Sequence, residues 1–80
     1  MKIINDKILH NILVETFSSE RIPNQIEDIK MGDLDSWDSL GNFRLLLALE
    51  DFFEIRFSLD EVAQIKSVKQ IKKHISEKLS

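Results

Sequence analysis

The feature that most constrains this 80-residue chain is the run that begins at or beside Ser39 and continues to about Phe53. Leu40, Phe43, Leu46, Leu47, Leu49, Phe52 and Phe53 recur there at helical spacing, which makes the helix apolar around much of its circumference. Such a helix is central and touches several others at once. A chain this short buries roughly 60% of the surface its unfolded form exposes. That core holds three or four helices together and leaves little room for a deep, self-contained active site.

Shorter helices are predicted on either side. The first runs from about Asn5 to Phe17, with Asn5 as N-cap and Asp6 suited to the positive end of the helix dipole. Ile8, Leu9, Ile12, Leu13 and Phe17 form its buried stripe, while His10 and Glu15 fall largely on the other side. Ser58-Leu59-Asp60-Glu61 reads as a capping box that opens a short third helix. Ser67-Val68-Lys69-Gln70 reads as a second one, opening a last helix with Val68, Ile71, Ile75 and Leu79 along one face. The one strand-like stretch is Ile55-Arg56-Phe57.

From Ser18 to Asp38 no single period holds, and Pro23 and Gly32 punctuate the segment. Ile22, Ile26, Ile29, Met31, Leu34 and Trp37 are too many large apolar residues for a polar linker. The expectation is a long loop packed against the helices, and long ordered loops are often functional. Trp37 reads as a packing residue that fixes this loop just before Ser39. The expected architecture is all-α: a four-helix bundle of three main helices, one short third helix and a long ordered loop between helices one and two, in a single domain over residues 1–80.

Composition narrows the function classes. The chain is 42% hydrophobic and 31% charged, as in an ordinary globular domain. It has no cysteine, so disulfides and thiolate metal sites are out of reach. His10 and His74 are far apart in sequence and lack nearby ligands, which argues against a metal site. No apolar run approaches the roughly 18 residues that span a bilayer, and Met1-Lys2-Ile3-Ile4-Asn5-Asp6 turns polar too early for a signal peptide. The expectation is a cytoplasmic monomer with no membrane insertion.

A net charge of −3 argues against nucleic acid as the main partner. The distribution says more than the sum. Between Glu27 and Glu61 ten acidic residues face only Lys30, Arg44 and Arg56, while the tail after Ile65 sets five lysines against Glu77. An acidic middle predicts a basic partner drawn in by electrostatic steering.

Ser39 is the candidate site. It lies where the irregular segment meets the central helix, and there the first-turn amides are unpaired and the dipole favours negative charge. A phosphate ester on its hydroxyl would find a ready anion site. In this reading Leu40 anchors the helix in the core while Ser39 faces out, and small, polar Gly41 and Asn42 leave room for a bulky substituent. Ser39 is equally suited to a plain N-cap role, and a modified serine can still begin a helix.

The segment Trp37-Asp38-Ser39-Leu40-Gly41-Asn42-Phe43-Arg44-Leu45-Leu46-Leu47-Ala48-Leu49-Glu50-Asp51-Phe52-Phe53-Glu54-Ile55 resembles the acyl carrier protein family. In that family an Asp-Ser-Leu motif opens the second helix, and an aliphatic stretch ends in leucine–acid–acid–x–phenylalanine, here Leu49-Glu50-Asp51-Phe52-Phe53. Asp60 to Ile65 is similar to the family's short third helix, and Ser67-Val68 with Ile71 and Ile75 to its fourth. The resemblance covers essentially the whole chain.

It implies a non-catalytic carrier whose serine, Ser39, receives 4′-phosphopantetheine from coenzyme A through a phosphopantetheinyl transferase. The arm would present a thioester-bound acyl group to acyl-loading and acyl-transferring enzymes. Asp38 matches the acid that helps dock the transferase. Asp35, Asp38, Leu40, Arg44, Glu50 and Asp51 are the expected partner contacts, with Arg44 selecting an acidic counterpart. Phe43, Leu46 and Leu47 with Ile29, Met31 and Leu34 are the candidates for parting to admit a short acyl chain. Gly41 and Arg44 replace early acids, Phe52 stands where an acid is common, and the last helix is lysine-rich. Those departures favour a specialised carrier over a housekeeping fatty-acid one. The alternatives are an aminoacyl, peptidyl or D-alanyl carrier, or a helical interaction module without a prosthetic group. Phe52 is expected to pack under helix one rather than to contact a partner.

Overall fold

The computed structural model describes residues 3–79, so Met1 and Lys2 of the N-terminal stretch lie outside the described residues. It is mostly helical, with α1 Asp6–Thr16, α2 Ser39–Phe53, α3 Leu59–Gln64 and α4 Val68–Leu79. Among the described residues there is no strand, only an isolated antiparallel bridge between Lys30 and Ser67.

The helix ends follow local chemistry. Asn5 caps α1 by accepting the Ile8 amide at 2.8 Å. Ser58 and Glu61 form a reciprocal capping box on α3, at 3.1 and 2.9 Å. At α4 the box is altered. Ser67 Oγ accepts the Gln70 amide at 3.1 Å, but the Gln70 side chain reaches past Ser67 to the Lys66 amide at 2.9 Å. α2 ends at Glu54, which is held in the left-handed region at φ 56° without a glycine's freedom.

The core gathers Leu9, Ile12, Leu13 and Phe17 from α1, Leu45, Leu46, Leu49 and Phe53 from α2, and Val68, Ile71 and Ile75 from α4. Ile26, Ile29, Trp37 and Ile65 complete it from the connecting segments. His10 is half-buried, and its Nε2 has no hydrogen-bond partner among the described residues.

α2 is expected to be central and to touch several helices at once, yet part of its apolar surface lies outside the core. Leu40, Phe43, Leu47 and Phe52 lie on the surface, at 67%, 48%, 48% and 40% exposure. Leu40 therefore does not anchor the helix; Leu45, Leu46 and Leu49 do. The helix is apolar on two faces, and only one meets the core, where α1 packs against it. Phe52, expected to pack under the first helix, is exposed as well. Its ring meets Phe53 edge-on at 4.9 Å.

Between α1 and α2 the chain is tied down at several points. The Met31 amide donates to the Lys66 carbonyl at 2.7 Å and the Val68 amide to the Ile29 carbonyl at 2.9 Å, fastening this segment to the α3–α4 joint. A tight turn follows. Asp33 accepts the Lys30 amide at 3.0 Å and pairs with its ammonium at 3.2 Å. The amide bond, then the ammonium, holds the Asp33 carboxyl below its ordinary range. Gly32 sits in this turn at φ 100°, a conformation few other residues adopt.

Three of the four lysines of α4 are drawn into ion pairs. Lys72 reaches Asp6 of α1 at 2.7 Å, Lys69 reaches Asp28 at 3.2 Å and Lys78 reaches Glu61 of α3 at 2.8 Å. The Asp6 contact raises the Lys72 ammonium above its ordinary value. The more exposed Lys69 and Lys72 pairs are each worth about 0–1 kcal/mol, and the three pairs together tie α4 to three other parts of the chain. No helix among the described residues is long and apolar enough to cross a membrane.

Candidate functional site around Ser39

Ser39 is the first residue of α2, and its predecessor does the capping. Asp38 has extended backbone, and its carboxylate accepts the Gly41 amide at 2.8 Å. The first helical bond runs from the Asn42 amide to the Asp38 carbonyl, also at 2.8 Å. Ser39 is consequently exposed, and its hydroxyl has no hydrogen-bond partner among the described residues. The amides of Ser39 and Leu40 likewise have no acceptor among the described residues, as expected for the first turn of a helix. The arrangement offers an accessible nucleophilic oxygen beside two unpaired donors at the positive end of a 15-residue helix.

The approach to Ser39 is rigid because Trp37 is fully buried. Its ring stacks on Phe17 with centroids 6.0 Å apart, and its amide donates to the Leu34 carbonyl at 2.9 Å. The Trp37 carbonyl in turn accepts the Gly32 amide at 2.9 Å. Its indole N–H donates to Asn42 Oδ1 at 2.9 Å, while Asn42 Nδ2 donates to the Ile65 carbonyl at 2.8 Å. One buried amide side chain thus joins the segment before Ser39, the first turns of α2 and the end of α3.

This corrects the expectation for Gly41 and Asn42. Both are buried, and the space around Gly41 is filled by neighbouring atoms rather than left open beside the hydroxyl. Gly41 is required because the Ser36 carbonyl and the Phe17 ring pass directly over its Cα. The usable space lies toward α3. A solvent-open groove of about 320 Å³ is lined there by Ser39 and Phe43 of α2, Val62 and Ala63 of α3, Met31, Asn42 and Lys66.

Of the residues proposed to shelter an acyl chain, Met31 and Phe43 do line this groove. Leu46 and Ile29 belong to the core, Leu34 is half-buried and Leu47 is exposed further along α2. Among the expected partner contacts, Asp35, Asp38, Leu40, Arg44 and Asp51 are exposed. Leu40, Phe43, Arg44, Leu47 and Asp51 form one outward stripe running away from Ser39. Glu50 stands apart, because its carboxylate accepts the Phe57 amide at 2.7 Å and holds the α2–α3 connection. A larger depression of about 450 Å³ lies around Glu50, Asp51 and Arg56 at the far end of α2, away from Ser39.

Sequence reasoning gave Asn42 a different role and missed Val62, Ala63 and Lys66. A signal existed for Asn42: glycine and asparagine side by side inside a helix are poor helix formers, and such a pair points to a tertiary demand. α3, the outer wall of the groove, buries none of its residues. Glu61 holds it, meeting Lys78 at 2.8 Å and His74 Nδ1 at 3.1 Å besides capping Ser58. The Lys78 bond foremost, with the Ser58 amide and His74, lowers the Glu61 carboxyl to about 2. Lys78 also lies over the Phe57 ring at 5.6 Å.

No family model matches the chain, and no curated protein or solved structure is detectably similar to it.

Proposed function

We propose that this protein is an acyl carrier. Ser39 receives a 4′-phosphopantetheine arm, and the chain presents a thioester-bound acyl group to partner enzymes of a biosynthetic pathway. The observation that carries the reading is the division of labour at the head of α2: Asp38 caps the helix, so the Ser39 hydroxyl is exposed and uncommitted. The arm supplies the reactive thiol, and the protein supplies address and shelter.

The local chemistry fits the group. Loading forms a bond from Ser39 Oγ to the phosphorus of coenzyme A that bears the pantetheine. It breaks the pyrophosphate link with release of the adenosine bisphosphate, and the serine proton passes to the transferase. The resulting phosphodiester is anionic, and the unpaired Ser39 and Leu40 amides with the helix dipole favour that charge. The chain's own contribution is positional. Tethering replaces diffusion and raises the effective concentration of the acyl group at each partner.

The fold that accompanies this reading is a four-helix bundle in which the long segment before α2 is an ordered loop delivering Trp37-Asp38-Ser39-Leu40. The outward stripe of Leu40, Phe43, Arg44, Leu47 and Asp51 would be the partner face. Its mixed charge departs from a uniformly acidic docking helix and supports a specialised rather than housekeeping role.

The same exposed apolar stripe also favours a second reading, a helical interaction module without a prosthetic group. A transfer assay separates the two. With a broad-specificity phosphopantetheinyl transferase and a fluorescent coenzyme A conjugate, a carrier becomes labelled and Ser39→Ala does not. An interaction module remains unlabelled under conditions that label a known carrier.

A further inference from the structure

The groove beside Ser39 has an uneven chemistry. Met31, Phe43, Val62 and Ala63 give it apolar walls, and among the described residues Lys66 is the one charged residue that lines it. Asn42 also lines it, but its oxygen and nitrogen are engaged by Trp37 and Ile65. The backbone of Lys66 is fixed on both sides, its carbonyl by Met31 and its amide by Gln70. Its ammonium is exposed and has no ion-pair partner among the described residues, whereas Lys69, Lys72 and Lys78 are all paired.

We infer that Lys66 is a specificity-determining residue for acyl groups bearing a carboxylate. The inference rests on the carrier reading and names its cargo class: a short acyl chain whose carbons lie against Met31, Phe43, Val62 and Ala63 and whose free carboxylate pairs with Lys66. A groove of about 320 Å³, open to solvent, suits a cargo of few carbons and does not enclose a long aliphatic chain. A neutral short chain gains the same modest apolar contact but leaves Lys66 unpaired. A surface ion pair of this kind is worth about 0.2–1 kcal/mol, a bias of about 1.4- to 5-fold in groove occupancy. Asp38 does not line the groove, and its carboxylate is already turned to the Gly41 amide.

The test loads the full chain with coenzyme A, malonyl-coenzyme A or propionyl-coenzyme A, and confirms each product by intact mass. The readout is the NMR shifts of Phe43, Val62 and Ala63 and of the Lys66 ammonium. Malonyl loading is expected to move these signals relative to the free-thiol arm, more than propionyl loading does. Lys66→Gln and 0.5 M salt are each expected to reduce that displacement toward the propionyl level. Equal displacement by both acyl groups, or an unchanged malonyl effect in Lys66→Gln, overturns the inference. Shifts of the Lys66 ammonium with the free-thiol arm alone assign the lysine to the arm's phosphate instead and also overturn it. Failure to load any group on Ser39 is a separate result, seen in the mass alone, and removes the carrier reading itself.

Discussion

The indole N–H of Trp37 donates to the side-chain oxygen of Asn42 at 2.9 Å, inside the core and five residues along the chain. With the Asn42 amide bound to the Ile65 carbonyl at 2.8 Å, this contact sets where α2 begins relative to α3. Asn42→Leu leaves two buried polar groups unpaired, each costing about 1–3 kcal/mol. Urea denaturation should show a loss of about 2–4 kcal/mol. The amides of Met31 and Ala63, which flank the groove, should exchange with solvent faster even where the chain stays folded.

Gly41 gives a prediction opposite in sign to helix propensity. Alanine is favoured over glycine inside a helix by about 1 kcal/mol. Here the added methyl would run into the Ser36 carbonyl oxygen and press on Phe17. Gly41→Ala should therefore destabilise the fold by about 1–3 kcal/mol, read as a fall in the midpoint of thermal unfolding. A gain in stability would mean that the approach of Ser36 to α2 is wrong.

The two apolar faces of α2 should respond differently to truncation. Leu46→Ala removes a buried side chain and should cost about 2–5 kcal/mol. Leu40→Ala and Leu47→Ala lie on the exposed face and should stay within about 0.5 kcal/mol of the parent. Both exposed variants should slow acyl transfer to a partner enzyme if that face is the docking surface. Equal losses of stability at all three positions would contradict the placement of α2.

Acid should loosen α3 before the core. Glu61 titrates near 4.5 when free and at about 2 in the folded chain, so the folded state favours its charged form. That stabilisation is fully present above about pH 4.5 and disappears as pH falls toward 2. The lowered Asp33 carboxyl acts in the same direction. Amide exchange in α3 should rise across this window. Glu61→Gln should flatten the dependence and cost about 1–2 kcal/mol at neutral pH, because a cap and a pair of ionic contacts are weakened.

Much of this architecture was legible in residue types, because capping is local chemistry. Asn5, Ser58 with Glu61, and Ser67 with Gln70 all mark helix starts that the structure has. The buried stripe of α4, Val68, Ile71 and Ile75, followed from spacing alone. The exposed face of α2 was not legible, since an outward leucine looks identical in sequence to an inward one. Leu40 was misplaced for that reason. Glu50 was also opaque: its role depends on where the Phe57 amide arrives after the chain has turned. Lys66 comes to line the same groove as Ser39 by the same kind of long-range placement, which no local pattern encodes.

The central claim concerns a single oxygen, Ser39 Oγ, and intact-mass analysis tests it most directly. The chain is co-expressed with a promiscuous phosphopantetheinyl transferase beside its Ser39→Ala counterpart, and both are weighed after purification. The account predicts a gain of one phosphopantetheinyl group in the parent, mapped by fragmentation to Ser39, and none in the alanine variant. A parent chain that keeps its unmodified mass, or that gains the group at another residue, contradicts it.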